Sequence, residues 1–171
     1  ALGLSTSQLP PLHNVEHHPA HLASAFFVSP YEEAAVCALD AMGDFVSTSW
    51  AMGKGNHMET LGRVYYPHSL GLLYTAITQY LGFPYYGEEY KVMGLAPYGE
   101  PTYTDEINQL IHRADGGQFE LALDYFRHWQ EDYDMDWEEG RPDFGTIYTP
   151  ELEELLGPER EPKSELTQRH K

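Results

Sequence analysis

The stretch AAVCALDAMGDFVSTSWAMGKGNHMETLGRVYY, residues 34–66, decides the fold that the sequence predicts. It begins with a continuous apolar run that reaches Asp40 and an Ala-Met-Gly-Asp turn, a pattern typical of a buried strand entering a tight turn. Two strand-like segments follow, and Gly53, Gly55 and Asn56 supply turn residues for a hairpin between them. The sequence therefore predicts an antiparallel three-stranded unit with an acidic residue ending its first strand.

Helical patterns flank this unit on both sides. Upstream, residues 20–27 are helix-prone, and Pro19 fits a first helical turn because the amide that proline lacks would be unpaired there. Downstream, HSLGLLYTAITQYLGF repeats apolar residues at helical spacing over residues 70–81 and closes with Gly82. The order of the elements predicts a mixed α/β fold.

The next segments are shorter. GEEYKVMGLAPYGE predicts a short helix, and TYTDEINQLIHRADGG predicts a second helix with a threonine cap at Thr104 or nearby and the two glycines as its end. QFELALDYFRHWQ alternates apolar and polar residues well enough to predict a strand.

Three histidines lie within EHHPAH, where the first predicted helix begins. Residues four apart share one helix face, so His17 and His21 converge while His18 points elsewhere. Two neutral imidazoles form half of a site for iron, zinc or a similar ion, and Asp40 is the natural carboxylate to complete it. The same helix end presents unpaired amides that suit a phosphate. The spacing alone leaves open that these histidines only cap the helix and bond to neighbours.

Composition narrows the classes of function. A formal charge of -17 and a pI near 4.7 argue against a groove for nucleic-acid phosphates and against docking on anionic membranes. One cysteine, Cys37, excludes an internal disulfide and a Cys-rich zinc site, and its apolar neighbours predict a buried, inert thiol. Because no apolar run approaches a membrane span and no leader is evident, we expect a cytoplasmic protein.

The chain becomes acidic after residue 130. Asp132, Asp134 and Asp136 match the spacing of a calcium loop, but Trp137 stands where that loop needs glycine. A solvated acidic connector is the better interpretation. We therefore expect a single partial domain, with a core segment over 1–130 and an acidic connector and helical tail over 131–171.

The segments EHHPAHLASAFFVSPYEEAAVCALDAMGD, PHSLGLLYTAITQYLGF and EEYKVMGLAPYGE closely resemble the O-carbamoyltransferase family. Members of this family carbamoylate nodulation factors, cephalosporins and aminoglycosides. The resemblance covers residues 13–99 and, more weakly, the LTQRH tail, and KVMGLAPYG is its most characteristic segment.

The resemblance implies part of an N-terminal domain of the actin-like (ASKHA, ribonuclease H-like) superfold, similar to the large subunit of the tRNA threonylcarbamoyladenosine machinery. It also implies a separate C-terminal domain, outside this chain, that makes carbamoyl-adenylate from carbamoyl phosphate and ATP. The N-terminal domain would then transfer the carbamoyl group to a hydroxyl of a small acceptor such as a sugar or an antibiotic.

The same resemblance assigns residues. His17, His21 and Asp40 would hold a divalent metal, iron first, that contacts the phosphate of the adenylate. Asp40 would also act in catalysis, by accepting the proton of the acceptor hydroxyl or by positioning that hydroxyl. Asp40, Ala41, Met42 and Gly43 would form the nucleotide-contacting loop. Ala41 departs from the Asp-Gly pair of the family and brings a methyl group toward any phosphate.

Two other functions stay open at this point. The chain could be a non-catalytic interaction module on the same fold, or a sugar-kinase-like phosphotransferase, which also uses a strand-end aspartate but has no need of paired histidines. Trp50, Tyr65, Tyr66 and Trp129 either line a sugar-sized cleft or pack within the fold.

Overall fold

The computed structural model of this chain describes residues 11–130, 136–138, 140–143 and 145–171. Its helices and strands are, in chain order, α1 (His17–Phe26), β1 (Glu33–Gly43), β2 (Val46–Lys54), β3 (His57–Tyr65), α2 (Leu70–Tyr80), α3 (Glu89–Leu95), α4 (Thr104–Leu110), β4 (Ile111–Arg113), β5 (Phe119–Leu121), β6 (Asp136–Glu138), β7 (Arg141–Asp143) and α5 (Pro150–Leu156). The predicted mixed α/β class is confirmed. Of the calcium-like triplet, Asp132 and Asp134 lie outside the described residues.

Strands β1, β2 and β3 form the predicted antiparallel sheet, in that order. The turn from β2 to β3 uses Gly55 at φ +57, as its sequence indicates. The turn from β1 to β2 is less expected, because Asp44 and Phe45 both adopt positive φ, at 52° and 62°. Positive φ is unfavourable for residues with a side chain, so this turn must be held by contacts elsewhere.

One face of β1 lies under α1. Ala34 pairs with Gly53 of β2, and a Cβ atom at Gly53 would lie 2.6 Å from the Phe26 ring of α1, so only glycine lets the helix approach so closely. The side chains of Cys37 and Leu39 lie on the opposite face and are exposed. The predictions of a buried strand and a buried thiol are therefore wrong. An apolar run does not tell which face of an edge strand is covered.

The pairing of β1 with β2 shifts near the end of β1. Leu39 pairs with Thr48, and the next pair joins Gly43 to Val46. Asp40, Ala41 and Met42 therefore lie opposite the single residue Ser47, which forms a β-bulge. This bulge turns the end of β1 away from a regular ladder.

Helix α2 connects the sheet with the main core. The side chain of Ser69, the residue before the helix, caps α2 by accepting the hydrogen of the Leu72 amide at 3.1 Å. Gly82 lies just after the helix and adopts φ +75. Its inner face joins side chains from the rest of the chain in one cluster, which comprises Leu73, Ala76, Tyr80, Leu110, Leu121, Phe126, Ile147, Tyr148, Leu152 and Leu156. Four of these ten residues lie beyond residue 145, so the end of the chain packs on α2.

Two predicted boundaries are wrong. Helix α4 ends at Leu110 and not at the glycines, because Ile111–Arg113 pairs with Phe119–Leu121 and the glycines form the turn of that hairpin. Thr104 is not its cap; the Thr104 hydroxyl donates to the Pro101 carbonyl at 3.0 Å. The strand predicted over QFELALDYFRHWQ is confined to β5. In the described part of the chain, no helix has both the length and the apolar character needed to cross a bilayer.

Candidate metal centre

His17, His21 and Asp40 meet at one point of the structure. The first turns of α1 present both imidazoles on one helix face, and the bulge at the end of β1 presents the carboxylate. One ligand atom from each of the three residues lies within 4.8 Å of the others. His17 Nε2 lies 2.7 Å from Asp40 Oδ2, His21 Nε2 lies 3.0 Å from His17 Nε2, and His21 Nε2 lies 3.6 Å from Asp40 Oδ2.

One proton on His17 Nε2 cannot serve both of its contacts. If that nitrogen carries a proton and donates it to Asp40 Oδ2, the proton is directed away from His21 Nε2. If it carries a lone pair, it accepts from His21 but opposes a carboxylate lone pair at 2.7 Å. A cation among the three atoms would attract all three lone pairs at once.

The three residues fit a divalent transition metal. Donors bound about 2.1 Å from one ion lie about 3 Å apart at right angles and about 3.4 Å apart in a tetrahedron, close to the observed separations. Two histidines and one carboxylate with open positions are the donor set of non-haem iron(II) sites. The side chains are 41%, 53% and 33% exposed, which leaves room for further ligands. That they bind a metal remains a prediction.

Gly43 makes room for the His17 ring. A Cβ atom at Gly43 would lie 2.1 Å from His17 Cδ2 and 2.6 Å from His17 Nε2, inside the ring's van der Waals radius. The last residue of β1 must therefore lack a side chain if the imidazole is to lie where it does.

Asp44 occupies the start of α1. Its Oδ2 accepts the backbone amide of His17 at 2.8 Å, so the strained β1–β2 turn delivers a carboxylate to the positive end of the helix. The prediction that this helix end offers unpaired amides to a phosphate is wrong for the His17 amide, because Asp44 already binds it.

The Asp40 carboxylate is fixed through both oxygens. Oδ1 accepts the Ala41 amide at 2.7 Å, and Oδ2 faces His17. Burial alone would raise the pKa of Asp40, but the hydrogen bonds from His17 and from the Ala41 amide, with the nearby imidazoles, outweigh burial and hold this pKa below its ordinary value. Asp40 is therefore ionised at neutral pH, as a metal ligand must be.

His18 does not belong to the cluster. It is 1% exposed, and its Nδ1 lies 2.9 Å from the Ser49 hydroxyl of β2. Burial is the main reason that the pKa of His18 is lowered. The helical spacing separates a packed histidine from two that face outward.

The predicted nucleotide-contacting loop, residues 40–43, consists of the bulge and the last residue of β1. Ala41 lies outside the positive-φ region, so alanine fits here without backbone strain, and Met42 is 49% exposed. Nucleotide contact by Asp40, Ala41, Met42 and Gly43 stays a prediction.

The four aromatic residues do not share one cleft. Tyr65 and Tyr66 line a cavity of about 250 Å³ together with Arg63. Trp50 lies instead beside Gly62, and the Trp129 indole donates to the Leu123 carbonyl at 3.0 Å.

Sequence reasoning missed the residues that support the site. Asp44 was visible only as part of a tight turn. Ser69 and Gly71 lie at the start of PHSLGLLYTAITQYLGF, whose apolar spacing predicts only the helix that follows. The only available signal was a small residue and a hydroxyl at the start of a helix.

The chain is thus an α/β unit in which two histidines and a carboxylate meet at a bulge near the end of a strand. The family profile described as carbamoyltransferase N-terminus matches residues 1–147, and the chain belongs to this family.

Three curated relatives show how much of the chain is similar to known proteins. The chain is 46% identical over 167 residues to the uncharacterized protein sll1178 of Synechocystis, a match that covers 96% of this chain and 25% of the relative. It is 40% identical over 111 residues to the nodulation protein NolNO of Sinorhizobium fredii and, over the same length, to the nodulation protein NolO of Bradyrhizobium diazoefficiens. Those two matches cover 64% of this chain and 16% and 20% of the relatives. The chain thus spans a quarter or less of the length of these relatives.

Proposed function

We propose that the complete protein is an O-carbamoyltransferase that moves a carbamoyl group from carbamoyl-adenylate to a hydroxyl of a sugar or antibiotic-like acceptor. In this proposal His17, His21 and Asp40 hold a divalent metal, with Fe²⁺ as the first candidate. An adenylate-forming domain elsewhere in the polypeptide supplies the donor from ATP, and the reaction takes place in the cytoplasm. The actin-like superfold of the whole domain is part of the same proposal.

The observation that carries the proposal is the meeting of the three side chains in a member of the carbamoyltransferase family. Residues 23 positions apart converge through the bulge of β1, and their donor atoms are spaced as ligands of one ion. Two relatives are nodulation proteins, and the family that the chain resembles includes enzymes that carbamoylate nodulation factors, which supports a sugar-like acceptor. The exposed faces of both imidazoles leave the ion accessible to a small substrate.

The chain's own residues would bind and orient in this reaction. The acceptor oxygen attacks the carbamoyl carbon, the bond from that carbon to the adenylate phosphate breaks, AMP leaves, and the hydroxyl proton passes to a base. A divalent ion held by His17, His21 and Asp40 would neutralise charge on the departing phosphate. Helix α1 orients the His17 and His21 imidazoles. Asp44 fixes the start of this helix by accepting the hydrogen of its first amide.

Asp40 is better suited to binding the metal than to accepting the proton. Its Oδ1 is engaged by the Ala41 amide, and its Oδ2 points at the imidazoles, so no oxygen is turned toward a separate acceptor. A general base needs a free oxygen within hydrogen-bond reach of the proton that it accepts.

Metal content and transfer activity test the proposal together in the complete protein. His17→Ala and His21→Ala should reduce bound metal, measured by elemental analysis, to near zero and abolish carbamoyl transfer, while circular dichroism stays unchanged because both rings are exposed. His57→Ala, an exposed histidine of the β2–β3 hairpin, is the matched control and should retain both. Asp40→Asn should also lose metal; retention of metal with loss of transfer would make Asp40 the base. Full metal content in both histidine variants would refute the metal centre.

A further inference from the structure

The PHSLG motif, residues 67–71, has no part in the proposed chemistry, yet its serine reaches the backbone that carries Asp40. The Ser69 side chain is fully buried at 0% exposure. Its Oγ lies 3.0 Å from the Asp40 carbonyl and 2.7 Å from the Ala41 carbonyl, so its one proton is shared between these two acceptors. The same oxygen accepts the Leu72 amide as the cap of α2.

The bulge explains why a hydroxyl is needed there. Asp40, Ala41 and Met42 lie opposite one residue of β2, so the regular ladder cannot pair all of their backbone groups. Backbone carbonyls that are partly withdrawn from water need a hydrogen-bond donor, and Ser69 supplies one for two of them. On the other strand, the buried Ser47 hydroxyl donates to the His68 carbonyl at 2.5 Å. Two hydroxyl groups therefore join the bulge region to the start of α2: Ser69 bonds to β1, and Ser47 of β2 bonds to the residue before Ser69.

Close packing reinforces the junction. A Cβ atom at Gly71 would lie 2.5 Å from the Asp40 carbonyl oxygen and 2.6 Å from the Ala41 nitrogen, so the first turn of α2 rests directly on this backbone. Helix α2 is in turn fixed by Leu73 and Ala76 in the main core. The position of Asp40 is thus tied, through α2, to the main hydrophobic core.

We propose that Ser69 is a positioning residue for the candidate metal centre: its hydroxyl fixes the bulge so that Asp40 Oδ2 points at His17 and His21. Ser69 touches neither the ion nor the substrate. The inference rests on the proposed metal centre for its functional meaning, but the anchoring of the Asp40 backbone can be measured without metal.

The test compares variants of the complete protein that lose one buried hydroxyl from the same helix. Ser69→Ala removes the proposed anchor. Ser69→Gly also removes the hydroxyl, but it places glycine at a helix cap, where glycine is well tolerated, and so guards against a failure to fold. Thr78→Val is the matched control, because the Thr78 hydroxyl is equally buried but donates within α2 to the Tyr74 carbonyl.

Cobalt(II) serves as the probe of the metal centre, by calorimetric titration and by its visible absorption bands. Loss of a residue that orients a ligand typically lowers metal affinity about ten- to a hundredfold. Both Ser69 variants should show such a loss and altered Co²⁺ bands, whereas Thr78→Val should keep the wild-type affinity and spectrum. An equal loss in Thr78→Val, or unchanged affinity in both Ser69 variants, overturns the inference.

Hydrogen–deuterium exchange of the metal-free proteins separates this inference from the proposed function. The peptide that covers residues 40–43 should exchange at least about tenfold faster in the Ser69 variants, as expected for loss of a structural hydrogen bond. Peptides of β3 should be unchanged. If the wild-type protein binds no Co²⁺, the proposed metal centre fails, and the exchange result alone decides the role of Ser69. Unchanged exchange at residues 40–43 overturns it.

Discussion

The imidazole of His17 lies where a side chain on Gly43 would have to be, since a Cβ atom at Gly43 would approach His17 Cδ2 to 2.1 Å. The two residues belong to different elements, α1 and β1, and are 26 positions apart. Their contact means that the place of the His17 ring depends on the absence of a side chain at the end of β1.

Gly43→Ala should therefore displace the His17 ring and weaken metal binding about tenfold or more, because a ring nitrogen that moves by an ångström no longer faces the other two donors. Calorimetric titration with Co²⁺ measures the effect. Gly94→Ala is the control, since nothing lies within 4 Å of a Cβ atom at Gly94 and alanine suits a helix interior better than glycine. Equal affinities for both variants would show that the His17 ring is free to move without loss of the site.

Asp44→Ala should destabilise the protein by about 1 kcal/mol, the usual loss when a helix start loses the side chain that binds its amide. Asp44 also holds positive φ, which alanine tolerates poorly. Asp44→Asn is the matched variant, because asparagine keeps an acceptor oxygen and adopts positive φ more readily. Urea denaturation should show Asp44→Asn close to wild type. Equal loss in the two variants would assign the effect to the charge and not to the hydrogen bond.

The sequence predicts those parts of the candidate site whose geometry depends on residues close together in the chain. His17 and His21 are one helical turn apart, so their convergence follows from helix periodicity. The apolar run before Asp40 brought it close to the end of the strand, although β1 continues past it to Gly43 and Asp40 lies in a bulge that the sequence did not predict. The three antiparallel strands followed from turn residues for the same reason.

What the sequence could not show depends on contacts between distant segments. The bond from Ser69 to Asp40 spans 29 positions and exists only because α2 begins against the bulge. The prediction that Cys37 is buried is wrong because apolar residues occupy both faces of β1, whereas only one face is covered. His128 gave no signal at all, although it is 2% exposed and lies 62 positions from Tyr66, whose hydroxyl donates to its carbonyl.

His128 makes the stability of the fold depend on pH. Its ring is packed against Phe126 and Tyr66, and its Nε2 donates to the Pro67 carbonyl at 2.9 Å. Burial is the main reason that the pKa of His128 lies below the ordinary 6.5, with the neighbouring His68 acting in the same direction. The unfolded chain therefore binds a proton at a higher pH than the folded chain does.

The free energy of unfolding should accordingly be highest above pH 6.5 and fall as the pH drops from 6.5 toward the lowered pKa of His128. One such proton contributes a slope of at most about 1.4 kcal/mol per pH unit. His128→Gln should show a shallower decline in urea denaturation series between pH 7 and pH 5, on the order of one proton less. The slope will not vanish, because burial also lowers the pKa of His18. His57→Gln is the control, because His57 is exposed, and it should keep the wild-type slope. If the curve of His128→Gln runs parallel to that of the wild type, His128 takes up its proton equally well in the folded and the unfolded chain, and the prediction fails.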